Sequence, residues 1–448
     1  MQAKFIVKNF GPIEHAELDL RNVNVFIGPQ SSGKSTLAKL YTICKSPLSF
    51  LEKDDLEWKK YLERSETGKS FEALKFEDAL RDLNIHNFIS SKSIIEFDSE
   101  LHSFKYARGK ILFNRKFEIK FRQLESSIEA LELERSHEII LEFSRKLSFF
   151  RMQAAFSLLD FRNPNNKFNI KEYLDFGGSF SLESDVFSKE ELHLLLVVLQ
   201  RTEIDLLSSA TNYIPAERII VPILSGALFG LMNNNVPIPK HILTFASEYE
   251  KHFENLDELD LGFIKKGTQF KKVNGQARLF YSAKKSVALS ESATGFQSLI
   301  PLILTIVGRS SWHANGSYVI EEPEINLFPK AQYSLVKYLE QERKDGNLDN
   351  TYIHTYTTHS PYILSAFNNM LYAFKISVRE GVTAGDFDKI ASVLKDENWL
   401  NPESFNAYSI QNGTAIQILD RETGLIGDNV IDEISDEMSD DFDRLMDI

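Results

Sequence analysis

Residues Gly28-Pro29-Gln30-Ser31-Ser32-Gly33-Lys34-Ser35 fit the pattern G-x-x-x-x-G-K-[ST], and nothing else in the chain restricts its fold as tightly. Such a loop works only between a strand and a helix. Its glycines let backbone N–H groups approach phosphate oxygens, and the helix N-terminus adds the positive end of its dipole. The flanks supply both elements: residues 23–27 read as a strand and 34–44 as a helix. Upstream, residues 5–7 and 15–20 read as strands, with Gly11-Pro12 as a turn between them. In this setting Lys34 reaches the β- and γ-phosphates of a nucleotide, and the Ser35 hydroxyl holds Mg²⁺.

Three further segments extend the chemistry. Ser317-Tyr318-Val319-Ile320 reads as a buried strand, and it ends in Glu321-Glu322-Pro323-Glu324. Adjacent acids at a strand's C-terminal edge can divide the work: Glu321 supports a hydrated Mg²⁺, while Glu322 polarises an attacking water. Residues 352–358 form a short strand that delivers His359 at its end, placed for a γ-phosphate contact. Ala293-Thr294-Gly295-Phe296-Gln297 precedes an apolar helix over about 296–308. A hydroxyl and a glycine there make either an anion-binding corner or an ordinary capped core helix.

These four elements in this order resemble the ABC-type ATPase heads of SMC, RecF and, most closely, OLD-family proteins. The phrases EEPEINLFP, TTHSP and YIPAER (213–218) are similar to those of stand-alone bacterial OLD-like ATPases. The resemblance covers about 1–48 and 211–448. It implies an α/β fold: an ABC/SMC-type P-loop head, a mixed sheet with flanking helices, carrying an inserted, mainly helical subdomain. It makes Gly28 to Thr36 the Walker A loop, Ala293, Thr294, Gly295 and Gln297 a degenerate signature motif that also contacts nucleotide, Glu321 the Walker B acid, Glu322 the catalytic glutamate and His359 the switch histidine. ATP and Mg²⁺ are the implied ligands. Glu321 stands where most ABC members carry Asp, and Phe296 replaces a signature glycine. Both are usual in the OLD-like branch and imply slow turnover. The resemblance further implies that Thr294 and Gly295 meet the γ-phosphate held by a second copy, so that ATP joins two heads.

The expected division is an ATPase lobe over 1–48, an inserted, mainly helical lobe with some strand over 49–208, a second ATPase lobe over 209–370 and a C-terminal part over 371–448. Residues 371–378 and a hairpin turning at Asn412-Gly413 are expected to close the sheet; a second hairpin is expected at Asn274-Gly275. With 43% hydrophobic and 26% charged residues, a sizeable core is available. The one cysteine, Cys44, excludes a disulfide framework and fits a reducing cytoplasm. Neither a signal peptide nor a membrane span is expected. A net charge of -13 argues against general coating of nucleic acid. Two basic stretches run against that balance. One holds Lys265, Lys266, Lys271, Lys272, Lys284 and Lys285; the other spans 104–123, where Phe117, Ile119 and Phe121 alternate with the charges as a strand would, ahead of helical apolar spacing over 124–150. Each is a solvated sheet face or a phosphate contact. Residues 431–448 read as an acidic amphipathic helix, packed on its own domain or docking a partner. No TOPRIM or HNH nuclease is visible, a pattern that resembles the ATPase subunit of two-component anti-phage systems of the PARIS or Septu type, where a separate effector such as a nuclease is controlled. The alternative is a RecF-like repair ATPase acting on DNA directly.

Overall fold

The computed structural model describes residues 2–46, 71–100, 102–115, 211–224, 234, 236–310, 317–345, 352–427 and 429–446. Three strands open the chain: β1 (Ala3–Phe10), β2 (Ile13–Leu20) and β3 (Val23–Ile27). In β2, Ile13, Ala16, Leu18 and Leu20 are buried, while Glu14, Glu17 and Asp19 are exposed. That alternation marks a strand with one wet face. Every residue of β3 is buried. The loop after it leads into α1 (Lys34–Lys45).

Next come α2 (Phe71–Asp82), β4 (Ile94–Ser99), β5 (His102–Ala107) and β6 (Lys110–Arg115). These lie within the stretch expected to be an inserted, mainly helical lobe with some strand. Here β4 pairs antiparallel with β1, and β5 and β6 extend the same sheet outward. The reason is alternation. Ile95, Phe97, Phe104 and Tyr106 enter the core shared with β1, while Lys105 and Glu96 pair at 2.6 Å on the other face. A strand with one wet face averages to a polar composition, which is why this part looks unlike a core. The expected strand around Phe117, Ile119 and Phe121 and the expected helix over 124–150 lie outside the described residues.

The remaining elements are β7 (Asn212–Ile214), α3 (Ile220–Leu224), α4 (Lys240–Asn255), β8 (Glu258–Asp260), β9 (Gln269–Val273), β10 (Gln276–Ser282), β11 (Lys285–Ala288), α5 (Thr294–Ser310), β12 (Tyr318–Glu321), α6 (Pro329–Asp345), β13 (His354–Thr358), α7 (Pro361–Ser377), α8 (Ala384–Val393), β14 (Phe405–Gln411), β15 (Thr414–Gln417) and α9 (Val430–Met446). Among the described residues the main sheet has 11 strands, in the order β6-β5-β4-β1-β2-β15-β14-β3-β13-β12-β7. Strands β14, β3, β13, β12 and β7 are mutually parallel, so both of their faces are covered. Val23, Val25 and Ile27 face a core built with α5, α6 and α7, while Phe26 faces one built with α1 and β1. This is a mixed α/β fold: a large mixed sheet with flanking helices.

Both Asn-Gly hairpins form. Asn274 and Gly275, and again Asn412 and Gly413, hold positive φ values between 51° and 75°, as tight turns between β9 and β10 and between β14 and β15 require. Residues 371–377, expected as a strand, lie instead in α7. Ser360 caps that helix by accepting from the Tyr362 N–H, Pro361 opens it, and Ile363, Leu364, Phe367, Met370 and Leu371 are buried at helical spacing. Among the described residues, no helix is long and apolar enough to cross a membrane.

A polar cluster fastens α6 to β13. Glu340 and Arg343 pair at 2.7 Å with almost no exposure, and the Tyr356 hydroxyl donates to Glu340 at 2.7 Å. Burial would raise the Glu340 carboxyl, but Arg343 and His354 overcome it and hold it at about 2. Its folded value lies below the unfolded one. The stability it contributes is therefore present above the ordinary carboxylate range and is lost as pH falls toward 2. Glu340→Ala leaves Arg343 buried without its carboxylate. We expect it to cost about 3–5 kcal/mol at neutral pH in urea denaturation; a loss below about 1 kcal/mol would show that the pair is not a clamp.

Candidate functional site

The parallel register brings the chemistry together. Ile27 at the end of β3 lies beside Thr358, and Thr357 lies beside Glu321. The C-terminal ends of three adjacent strands therefore present the phosphate loop, the paired acids and His359 at one edge, where open parallel sheets bind ligands.

The loop over 28–35 wraps the start of α1. Gly28 adopts φ 152°, and a Cβ there would lie 2.1 Å from the Ile410 carbonyl oxygen of β14. Glycine alone fits so close an approach. Gly33, with φ 104°, precedes the helix, which has no side-chain cap and no acid in its first turn. Within its own first turn the positive pole of α1 therefore meets no acid. Pro29, Gln30, Ser31 and Ser35 are exposed, Ser32 is half-buried, and Gly28, Gly33, Lys34 and Thr36 are buried. The Lys34 ammonium folds back on the loop, donating to the carbonyls of Gly28 at 2.9 Å and Pro29 at 2.7 Å. Burial lowers it to about 8, against the opposing pull of Glu322, Glu324 and Glu321.

Environment separates the glutamates. Glu321 is buried, which raises its carboxyl, while Lys39 and the hydroxyls of Tyr213 and Ser35 act in the opposite direction. Its Oε1 has no hydrogen-bond partner. Glu322 is one-third exposed and its carboxylate lies 3.6 Å from His359 Nε2. Its backbone is left-handed, φ 41°, a conformation that costs a non-glycine residue energy and persists where surroundings enforce it. His359 is shifted down by burial first and then by Lys34, so its imidazole is neutral at neutral pH.

Two residues given no role in the sequence reading prove central. Glu324 accepts from the Thr358 hydroxyl at 2.6 Å and the His359 backbone N–H at 2.9 Å, fixing the turn that carries the histidine. A third acid three residues beyond Glu321 was its only sequence signal. Arg218 is completely buried. It donates to the carbonyls of Glu321 and Glu322, each at 2.7 Å, and to those of Pro215 and Ser298, each at 3.1 Å.

At the start of α5, Ala293 and Thr294 are exposed and Gly295 is half-buried. A Cβ on Gly295 would lie 2.7 Å from the Asn326 carbonyl oxygen, so this corner packs directly on the loop that follows the paired acids. Gln297 differs from expectation. Its amide is turned inward, donating to the carbonyls of Ser290 and Ser292 at 2.8 Å each, and it braces its own loop.

The basic stretch around β9 to β11 is partly neutralised by acids from β8 and the residue before it. Lys271 pairs with Glu258 at 3.1 Å and Lys272 with Asp257 at 3.0 Å. Lys265, Lys266, Lys284 and Lys285 remain exposed. On α9, Met438, Phe442 and Leu445 are 69%, 62% and 68% exposed, so this part of the helix is not packed on its own domain.

The family model described as "AAA ATPase domain" matches residues 1–220 and 227–364. The comparison with curated proteins finds no match. Among solved structures, the Smc head domain of Pyrococcus furiosus, with an extended coiled coil and bound to the C-terminal domain of ScpA, is 10% identical, with a TM-score of 0.35 over 98% of this chain and 99% of that one. The SMC head domain of Thermotoga maritima is 10% identical, with a TM-score of 0.36 over 93% and 98%. The recombination mediator RecF with its bound nucleotide is 10% identical, with a TM-score of 0.30 over 93% and 98%. With most of its length matched by that one family model, the chain belongs to the AAA ATPase domain family.

Proposed function

We propose that the protein binds ATP with Mg²⁺, hydrolyses it slowly, and closes head to tail on a second copy of itself while ATP is bound, as ABC- and OLD-like heads do. The observation that carries this reading is the corner at the start of α5, with Thr294 exposed and Gly295 half-buried, braced against the loop after Glu322. In a head-to-tail pair this corner would meet the neighbour's phosphate and complete its site.

The Mg²⁺ site fits the residues present. Glu321 keeps a buried oxygen with no hydrogen bond, and the Ser35 hydroxyl lies close enough to act on that carboxyl. Ser35 and Glu321 would hold the ion, which supplies charge neutralisation at the phosphates when bound. Lys34 exchanges its loop carbonyls for phosphate oxygens. Glu322 takes a proton from, or orients, the attacking water, and His359 contacts the γ-phosphate.

As its biological role we propose a sensor or scaffold that controls a separate effector, in the manner of two-component anti-phage ATPases. The exposed residues 437–446 of the acidic helix α9 offer that effector a docking face. A second reading, a RecF-like ATPase acting on DNA, is favoured by the exposed Lys265, Lys266, Lys284 and Lys285. It requires ATP-dependent DNA binding that falls steeply with salt.

Two outcomes test the site. Glu322→Gln is expected to accumulate an ATP-bound pair in light scattering, while Lys34→Ala loses ATP binding; unchanged assembly for Glu322→Gln would remove head closure. Since free Lys34 titrates at about 8, the charged form that phosphate needs is lost as pH rises through that value. The Kd for ATP is expected to be about tenfold weaker at about pH 9 than at about pH 7, as read by equilibrium binding. A flat profile would show that Lys34 is not the group engaging phosphate.

A further inference from the structure

We infer that Arg218 is a positioning residue that couples the signature corner on α5 to the carboxylate of Glu322, so that the catalytic glutamate is set for reaction when the neighbouring copy's nucleotide engages Thr294 and Gly295. The inference rests on the ATPase reading above and assigns a task to a side chain that touches neither nucleotide nor water in that reading.

The geometry is specific. One guanidinium edge grips both peptide carbonyls that flank the Glu322 Cα: Nη1 donates to Glu321 O and Nη2 to Glu322 O, each at 2.7 Å. On the remaining side, Nε donates to Ser298 O, in the second turn of α5, at 3.1 Å. Nη1 also donates to Pro215 O at 3.1 Å, which ties the guanidinium back to the end of β7. A planar group thus spans three elements with all of these partners on backbone. Its partners being carbonyls, it fixes where the main chain runs and not which side chains are present.

Glu322 needs such fixing. Its left-handed φ of 41° is a strained choice for a side chain with a Cβ. Its N–H is held by the Thr357 carbonyl at 2.9 Å, and its C=O by Arg218. The carboxylate direction follows from the orientation of these two peptide planes. A shift of α5 on engaging a phosphate moves Ser298, and through the rigid guanidinium it moves the Glu322 peptide.

Energetics supports a task other than stability. Burial of Arg218 lowers its pKa to about 10, with Glu324, Glu322, Glu321 and Glu217 pulling the other way. The group is therefore charged at neutral pH, yet every hydrogen bond described for it goes to a neutral carbonyl. A buried charge without a bonded carboxylate is an expensive way to hold a fold together. Lysine cannot replace it, because one ammonium on a flexible stem does not span carbonyls on opposite sides.

The test uses Arg218→Lys, with Arg218→Met as the volume-keeping alternative, alone and combined with Thr294→Ala. Single-turnover hydrolysis, ATP affinity and melting temperature are measured for each full-length protein. We expect ATP affinity within about twofold of the unchanged protein and hydrolysis slower by about 100-fold, the scale of a small misplacement of a reacting group. In the Thr294→Ala background, where α5 no longer engages the neighbour, Arg218→Lys is expected to cost less than about threefold more. Multiplicative losses in the combined variant, an unchanged rate, or a parallel fall in ATP affinity would each overturn the coupling. So would the failure of both single variants to fold, which would make Arg218 a core residue. If the unaltered protein binds ATP but hydrolyses none, the ATPase reading itself fails. If it hydrolyses and Arg218→Lys matches it, the coupling alone fails.

Discussion

Parallel pairing of β12, β13 and β3 is the constraint on which the site depends. Glu321 opposite Thr357, and Thr358 opposite Ile27, put the ends of three strands distant in sequence at one edge of the sheet. Since side chains alternate along a strand, a slip of one residue would turn Glu321 or the approach to His359 to the opposite face. The register is held from both sides. The core residues Val23, Val25, Ile320 and Tyr356 are wholly buried, and the Glu340–Arg343–Tyr356 cluster fastens β13 to α6.

Within that edge, three glutamates in four residues take different tasks because their surroundings differ. Glu321 is buried with an unpartnered oxygen, which suits a cation that arrives with the nucleotide. Glu322 stays partly open beside His359, where water can reach it. Glu324 also keeps one buried oxygen without a bond, but its Oε1 accepts from Thr358 and from the His359 N–H, so it shapes the loop. Burial raises both Glu321 and Glu324.

What the sequence disclosed follows from how local each feature is. The phosphate loop and the two Asn-Gly turns are written in consecutive residues, because positive φ must be met where it occurs. Ser360-Pro361 and the apolar spacing after it were equally local signals for α7, yet the apolar run over 371–378 also suits a strand, and length alone separates the two. Strands β4 to β6 were hidden for a different reason. The edge they extend is β1, which β4 pairs with across some 90 residues, and only that pairing shows that Ile95 and Phe97 face its core. Pairing across strands also concealed the neutralisation of Lys271 and Lys272, whose acids sit on β8 and at the residue before it. Arg218 and Glu324 stood inside conspicuous phrases, but their tasks are defined by backbone atoms they meet in space.

The two buried cations of the site show why residue type matters as much as charge. Lys34 is a point charge on a flexible stem, resting on loop carbonyls it can release for phosphate. Its depressed pKa makes its hold conditional on proton supply. Arg218 is planar, stays charged, and is committed in several directions at once, so it cannot swing to a ligand. Its field still reaches the acids, and it eases the packing of Glu321, Glu322 and Glu324 at one strand end. A site that must accept a triphosphate while holding carboxylates close by needs one cation free to move and one that is not. Exchanging the two residue types would lose both functions while keeping the net charge.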